Sequence, residues 1–265
     1  MLPSSYPLLG DGEDARGPGA ADGPPARPGA NPNRDLFWSA PAHGAHEVIV
    51  NSPRPVVSLS QLTADEVGVA VEVWRERMCF HPEAASVQVI VDEREEAGAS
   101  LPHTHAQLYA LPFVPAAVAR ERERFAAYAT RTMGGNLLAD LVQEEVRQRE
   151  RIVAIDDDIV LIAPYASRVP YQLMLAPRRA RRRFEDPGPT GAPMLHAALQ
   201  RLAGRFGSCP PLNLWVHTAP RGAEQFCWRI DVLPRMLHST GLERATGLHV
   251  NVVAPERAAA ELREV

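Results

Sequence analysis

The ten-residue stretch GASLPHTHAQ begins at Gly98 and ends at Gln107. Because side chains alternate along a strand, His103, His105 and Gln107 would share one strand face. The turn before them offers backbone amides and the Ser100 hydroxyl to an anion. An imidazole can attack phosphorus without prior activation, and an amide can hold a phosphoryl oxygen without adding charge. Such an arrangement would suit covalent transfer of a nucleotidyl group, but an HxH pair alone more often binds a metal or lies on the surface.

The rest of the chain mixes strand and helix patterns. Alternating and β-branched runs predict strands at 46–51, 87–91, 103–111, 151–155, 159–163, 171–175, 212–217, 228–233 and 249–253. Helical spacing predicts helices after a capping box formed by Thr63 and Glu66, over 116–132, 137–149 and 192–206, and from Pro255 onward. Because strict βαβ alternation is missing, this order predicts an α+β fold.

Composition and charge exclude several classes of protein. The chain has 265 residues, of which 45% are hydrophobic, and this suffices for one large domain or two smaller ones. A net charge of −4 provides no basic field for nucleic acid. The three cysteines form no CxxC pair, which argues against a disulfide framework or a thiolate zinc site. Neither a membrane-spanning run of ~18 apolar residues nor a signal peptide is visible, so we expect a cytoplasmic protein.

The domain organisation follows from a change in composition. Residues 1–33 contain seven prolines and six glycines, so we expect a disordered leader there. The residues from 151 onward contain the same kinds of strand and helix patterns as those before them. We therefore predict an N-terminal half at 34–150, which carries the histidine strand, and a C-terminal half at 151–265.

The pattern GASxxHxHxQ, followed by an apolar run and by Phe113-Val-Pro115, resembles the signature of the galactose-1-phosphate uridylyltransferase family. This family is the HxHxQ branch of the histidine-triad superfamily. Further similar segments are HEVIVNSP at 46–53, LLADLVQEE at 137–145, WVHTAP at 215–220 and GLHVNVVAPE at 247–256. The resemblance runs from about residue 43 to residue 264.

The resemblance implies a fold, a reaction and a set of roles. The fold would be two histidine-triad-like halves of antiparallel sheets with packed helices, assembled as a homodimer. His105 would attack the α-phosphorus of a nucleotide sugar and release a sugar 1-phosphate, after which a second sugar phosphate accepts the nucleotide. Gln107 would bind the phosphoryl group, His103 would orient the site, and Gly98 and Ser100 would bind phosphate oxygens.

Some family members hold zinc or iron, so the resemblance also implies candidate ligands. Of the first-half zinc site, which normally includes an N-terminal Cys-x-x-Cys pair, only His103 remains. In the second half Glu145 and His217 match ligands, whereas Arg229 and Asp231 stand where paired histidines would be. Since Arg229 would repel a cation and most ligands are absent, we expect no bound metal.

Three hypotheses remain open at this level. The first is a nucleotidyltransferase that works through His105. The second is a phosphorylase or hydrolase of nucleotide sugars or dinucleotides, with phosphate or water as the acceptor. The third is a catalytically degenerate nucleotide-binding protein. The intact HxHxQ pattern favours the first two, and the missing N-terminal pocket favours the third.

Overall fold

The computed structural model describes residues 2–3, 43–238 and 240–265. The leader predicted at 1–33 lies outside these residues, apart from the two-residue strand β1 (Leu2–Pro3) that pairs with Val48 and Glu47. No helix in the described ranges is both long and apolar enough to cross a bilayer.

Strands and helices follow the mixed order that the sequence predicts. The further strands are β2 (Ala45–Val50), β3 (Ser86–Glu93), β4 (His105–Leu111), β5 (Ile152–Ile155), β6 (Ile159–Ile162), β7 (Leu173–Pro177), β8 (Leu212–His217) and β9 (Arg229–Pro234). The helices are α1 (Ala64–Cys79), α2 (Ala116–Arg131), α3 (Leu137–Gln148), α4 (Ala192–Phe206), α5 (Gly241–Thr246) and α6 (Pro255–Arg263). The prediction of an α+β fold is confirmed.

Helix α1 starts at the predicted capping box. The Thr63 hydroxyl accepts the Glu66 amide, and the Glu66 carboxylate accepts the Thr63 amide at 2.8 Å, so two otherwise unsatisfied donors are bonded. Its apolar side is buried at Val67, Val71, Trp74 and Met78. The capping box thus fixes the start of the helix that packs beneath the histidine strand.

In the described part of the chain, the strands form one antiparallel sheet in the order β1-β2-β4-β3-β8-β9-β7-β6-β5. The segment β2-α1-β3-β4 produces the strand order 2-4-3, and β7-α4-β8-β9 produces 7-9-8, so the same connectivity occurs twice. The pairing of β3 with β8 joins the two segments edge to edge.

Helices cover the sheet unevenly. On one face α1, α4 and α6 pack over the inward residues of the strands and form the main core. On the other face α2 and α3 cover only the second half, where Phe125 stacks on Phe226 and Leu138 and Val142 are buried. Along β4 the even positions Ala106, Leu108 and Ala110 are buried in the main core. The odd positions therefore point to the opposite face.

Three strand predictions differ from the structure. Strand β4 begins at His105, so His103 lies in the preceding turn rather than on the strand. Strand β7 begins two residues later than predicted, because Tyr171 has a φ of 57° and the chain turns there. The predicted strand at 249–253 is wrong. This segment lies between α5 and α6 with Val250 and Val252 exposed, and β-branched residues without a partner strand form no ladder.

Candidate active site

The first residue of β4 is a buried histidine with a defined tautomer. His105 is 3% exposed, and its Nδ1 lies 2.8 Å from the carbonyl oxygen of His103. Because a carbonyl oxygen only accepts, Nδ1 must carry the proton and donate it. The other nitrogen, Nε2, then keeps its lone pair and can act as a nucleophile.

His103 fixes the turn that supplies this carbonyl. Its Nε2 donates to the carbonyl oxygen of Ser52 at 2.7 Å, which ties the turn to the residues just after β2. The amide of Asn51 also donates to the carbonyl of Thr104 at 3.2 Å. Although His103 is off the strand, it therefore holds the backbone that supplies the hydrogen-bond acceptor of His105.

Gln107 is held by two neighbours on the same sheet face. Its Oε1 accepts from the Tyr109 hydroxyl at 2.7 Å and lies 3.1 Å from His46 Nε2. The rings of His46 and Tyr109 stack, with centroids 4.3 Å apart. With Oε1 engaged in this way, the side-chain NH2 of Gln107 is the group that could donate to a phosphoryl oxygen.

Sequence reasoning did not assign a role to Tyr109 or His46. Tyr109 follows Gln107 at the two-residue spacing that keeps it on the same strand face. His46 is brought opposite Tyr109 by the register between β2 and β4. The position of Tyr109 could be predicted from the alternation in the sequence, whereas the position of His46 depends on strand pairing.

A buried network of hydrogen bonds holds the turn that contains His103 and Thr104. Glu93, 1% exposed, accepts from Ser58 Oγ at 2.6 Å and from Thr104 Oγ1 at 3.4 Å. Asn51 donates to the same Thr104 hydroxyl at 3.1 Å and accepts from Trp74 Nε1 at 2.9 Å. Burial raises the pKa of Glu93. Since Thr104 lies between the two histidines, this network fixes the backbone that positions His105.

The predicted phosphate-binding turn lies between β3 and β4. Gly98 has a φ of 99°, a conformation that favours glycine, and both Gly98 and Ser100 are exposed. Asn213 on β8 donates to the Ala97 carbonyl at 2.7 Å and to Asp92. The start of the turn is therefore anchored to the second segment of the sheet, and its exposed residues are accessible to an anion.

The structure does not bring the two metal-ligand candidates of the second half together. Glu145 is buried against Arg151, whose Nε donates to both carboxylate oxygens at 2.9 and 3.0 Å. The helix carboxylate that reaches His217 belongs instead to Glu121 on α2, at 3.2 Å from Nδ1. The pairing of Glu145 with His217 is therefore wrong, because α2 rather than α3 lies over the end of β8.

Arg229 fills the space where Glu121, His217 and Asp231 converge. Its guanidinium contacts both carboxylates, with Nε 3.1 Å from Asp231 Oδ2. Although burial raises it, the hydrogen bond to His217 and the charge of Arg229 lower the pKa of Glu121 to about 2. Within the described residues no group of three or more His, Cys, Asp or Glu side chains is arranged to hold a metal ion. The donor set at this position therefore does not fit one.

The three cysteines offer no reactive thiolate. Burial raises the pKa of Cys209 to about 12 and that of Cys227 to about 11, and it also raises the pKa of Cys79. The expectation that Cys227 is buried is confirmed.

Comparisons with known proteins agree with the fold and the motif. The sequence profile described as galactose-1-phosphate uridyl transferase, N-terminal domain, matches residues 21–115. The chain is 26% identical to an ADP-glucose phosphorylase from Arabidopsis thaliana over 84% of its own length and 65% of that protein. It is 28% identical to a probable galactose-1-phosphate uridylyltransferase from Drosophila melanogaster, over 88% of its own length and 72% of that protein.

The fold also matches solved structures. A crystal structure of an Arabidopsis thaliana ADP-glucose phosphorylase with bound ADP-glucose superimposes with a TM-score of 0.80 at 23% identity, over 100% of this chain and 80% of that one. The profile match covers the HxHxQ strand, and the relatives cover most of the chain. Over most of its length the chain is therefore similar to galactose-1-phosphate uridylyltransferases, and its residues 21–115 match the N-terminal domain of that family.

Proposed function

We propose that the protein is a nucleotidyltransferase that moves a nucleotidyl group between a nucleotide sugar and a sugar 1-phosphate through a covalent intermediate on His105. The hydrogen bond from His105 Nδ1 to the His103 carbonyl carries this proposal, because it leaves Nε2 as the nucleophilic nitrogen. The activities named for the relatives support the same reaction class.

The reaction proceeds in two balanced steps. Nε2 attacks the α-phosphorus of the donor, an N–P bond forms, and the bond from that phosphorus to the bridging oxygen breaks. This oxygen leaves as part of the sugar 1-phosphate. An oxygen of the acceptor phosphate then attacks the same phosphorus, and the N–P bond breaks to restore the neutral imidazole of His105.

The neighbouring groups act on the charges that develop. When Nε2 bonds to phosphorus the ring becomes cationic, and the His103 carbonyl stabilises that charge through the Nδ1 hydrogen bond. The Gln107 amide donates to a non-bridging phosphoryl oxygen. Ser100 and the backbone at Gly98 bind the remaining phosphate oxygens. No step uses a metal ion.

A phosphorylase is the second candidate, and the match to a plant ADP-glucose phosphorylase favours it. Its first step is the same, and inorganic phosphate replaces the sugar phosphate as the acceptor. Water as the acceptor would make the protein a hydrolase. Once the covalent step has been demonstrated, the identity of the acceptor therefore distinguishes a transferase from a phosphorylase or a hydrolase.

The setting of the reaction follows the family. The substrates are a nucleotide sugar and a sugar phosphate, with galactose metabolism as the expected context. The protein acts in the cytoplasm as a homodimer of two-half subunits, divided near residue 150, and has no nucleic-acid partner. The repeated strand connectivity supports the two-half division.

The test is acceptor-free labelling with UDP-glucose and ADP-glucose that carry ³²P at the α-phosphate. We expect an acid-labile label on the denatured wild-type protein that is absent from His105→Gly. His238→Gly, which removes an exposed histidine, serves as the matched control and keeps the label. Chasing with galactose 1-phosphate or inorganic phosphate identifies the acceptor. Absence of label from a donor that calorimetry shows to bind would leave only the nucleotide-binding hypothesis.

A further inference from the structure

His105 lies at one end of a row of hydrogen bonds that passes through two peptide groups. Its Nδ1 donates to the carbonyl oxygen of His103 at 2.8 Å. The amide of the same peptide group, which is that of Thr104, donates to the carbonyl oxygen of Val56 at 2.8 Å. This first peptide group therefore accepts from the imidazole on one side and donates on the other.

The row continues in the segment between β2 and α1 and ends on a side chain. The carbonyl of Val56 shares its peptide group with the amide of Val57, which donates to Gln61 Oε1 at 2.9 Å. The same oxygen accepts the amide of Ser58 at 3.2 Å, within a capping box. Because two backbone amides donate to this atom, it must be the oxygen of the Gln61 side chain and not its nitrogen.

The two peptide groups and the Gln61 side chain form what we call the relay, and its dipoles are aligned head to tail. In each peptide group the carbonyl oxygen, which is the negative end of the dipole, is directed toward His105. Hydrogen bonds in such a row polarise one another, so a stronger acceptor at the far end strengthens the bond at the near end. The relay is thus oriented to stabilise positive charge on the imidazole.

We propose that Gln61 is a positioning residue for His105, which acts through the relay and stabilises the cationic ring of the covalent intermediate. This inference rests on the proposed function, because the ring gains its charge when Nε2 bonds to phosphorus. The nearest charges balance each other, since Arg54, which donates to the Gln61 carbonyl, also donates to both carboxylate oxygens of Glu66 at 2.7 Å.

Two substitutions change the far end of the relay in opposite directions. Gln61→Glu keeps an oxygen acceptor of nearly the same shape and gives it a negative charge, whereas Gln61→Leu removes the acceptor. Position 61 is exposed, so the added carboxylate stays hydrated. In a single turnover with the α-³²P donor, we expect labelling to be about two- to fivefold faster in Gln61→Glu and slower by about the same factor in Gln61→Leu. Donor affinity, measured by calorimetry, should not change.

The opposite signs separate the relay from a merely structural role, in which both variants would be slower. Gln143→Glu and Gln143→Leu make the same changes at an exposed position of α3 and should label at the wild-type rate. If Gln61→Leu does not fold, the rise in Gln61→Glu relative to Gln143→Glu carries the test. A Gln61→Glu rate that is unchanged, lowered or matched by Gln143→Glu would overturn the proposal.

The relay can also be measured in the free protein, which separates its failure from that of the proposed function. With ¹⁵N-labelled histidine, the Nδ1–H proton of His105 is assigned by its absence from His105→Gly. Its NMR signal should move downfield in Gln61→Glu and upfield in Gln61→Leu. These shifts without any label on the wild type would support the relay and overturn the covalent step. Label on the wild type, with neither shifts nor rates that follow Gln61, would overturn the relay alone.

Discussion

At the scale of single residues, the chemistry that we propose depends on which atoms already have partners. His105 Nδ1 is engaged by a carbonyl, which leaves Nε2 for phosphorus. Gln107 Oε1 is engaged by Tyr109 and His46, which leaves the amide NH2 for a phosphoryl oxygen. Both side chains are thus oriented before substrate arrives, so little of the binding energy is needed to arrange them.

Tyr109→Phe tests the orientation of Gln107. Phenylalanine keeps a ring to stack on His46 but loses the hydroxyl that Gln107 Oε1 accepts. Because one such hydrogen bond is worth about 0.5–1.5 kcal/mol, we expect kcat to fall by up to about tenfold with KM nearly unchanged. Steady-state kinetics distinguishes the outcomes. A raised KM with an unchanged kcat would show that Tyr109 contacts substrate instead.

At the scale of elements, the sequence predicted the segment that carries His105 and Gln107 better than the strands around it. Alternation predicted that His105 and Gln107 share a strand face, and the capping box predicted the start of α1. The sequence did not reveal that Tyr171 has a positive φ, so that β7 begins two residues later than predicted. It also did not reveal that residues 249–253 have no partner strand. These differences arise because pairing with other strands decides where a strand begins and ends, and pairing depends on distant parts of the chain.

The choice between two acidic residues shows the same limit. Glu121 and Glu145 both lie on amphipathic helices that follow β4, and the family pattern pointed to Glu145. Only the docking of α2 over β8 puts Glu121 against His217, while Arg151 holds Glu145. A pattern along one helix cannot determine which partner helix packs nearest.

Trp74→Phe tests the network between α1 and the histidine turn. The variant loses the indole N–H that donates to Asn51, and Asn51 is 5% exposed. We expect the free energy of unfolding to fall by about 1–3 kcal/mol, because a buried acceptor loses its donor. Urea denaturation measures the change. Val69→Ala, at an exposed position of the same helix, should change stability by less than about 0.5 kcal/mol. Equal effects in both variants would contradict the network.

At the scale of the whole molecule, one continuous sheet carries both the His105 strand and the cluster of Glu121, His217, Arg229 and Asp231. Ile90 on β3 pairs with Gln107 on one side and with Trp215 on the other, and Trp215 pairs with Asp231. Paired positions point to the same face, so Gln107 and Asp231 lie on one side of the sheet. Because β8 pairs with β3, folding of the segment β7-α4-β8-β9 helps to hold the segment β2-α1-β3-β4, which carries His105.

Acid stability tests how much the cluster of Glu121, His217, Arg229 and Asp231 contributes to the whole fold. The pKa of Glu121 is lowered from 4.5 to about 2, so its ionised form favours folding above pH 4.5. This contribution, about 3 kcal/mol, is lost as the pH falls from 4.5 through 2. We expect the free energy of unfolding of Glu121→Gln to be lower at pH 7 and less dependent on pH in that window. The exposed Glu144→Gln should behave like wild type, and a Glu121→Gln profile parallel to wild type would contradict this assignment.

The most direct test of the central claim is to locate the covalent intermediate. The full-length protein is mixed with UDP-glucose or ADP-glucose without acceptor, digested at neutral to alkaline pH, and analysed by fragmentation mass spectrometry. We predict that one nucleotidyl group is attached to His105 and is removed by an acceptor phosphate. An adduct on His103 or on any other residue, or no adduct from a donor that binds, would contradict the account.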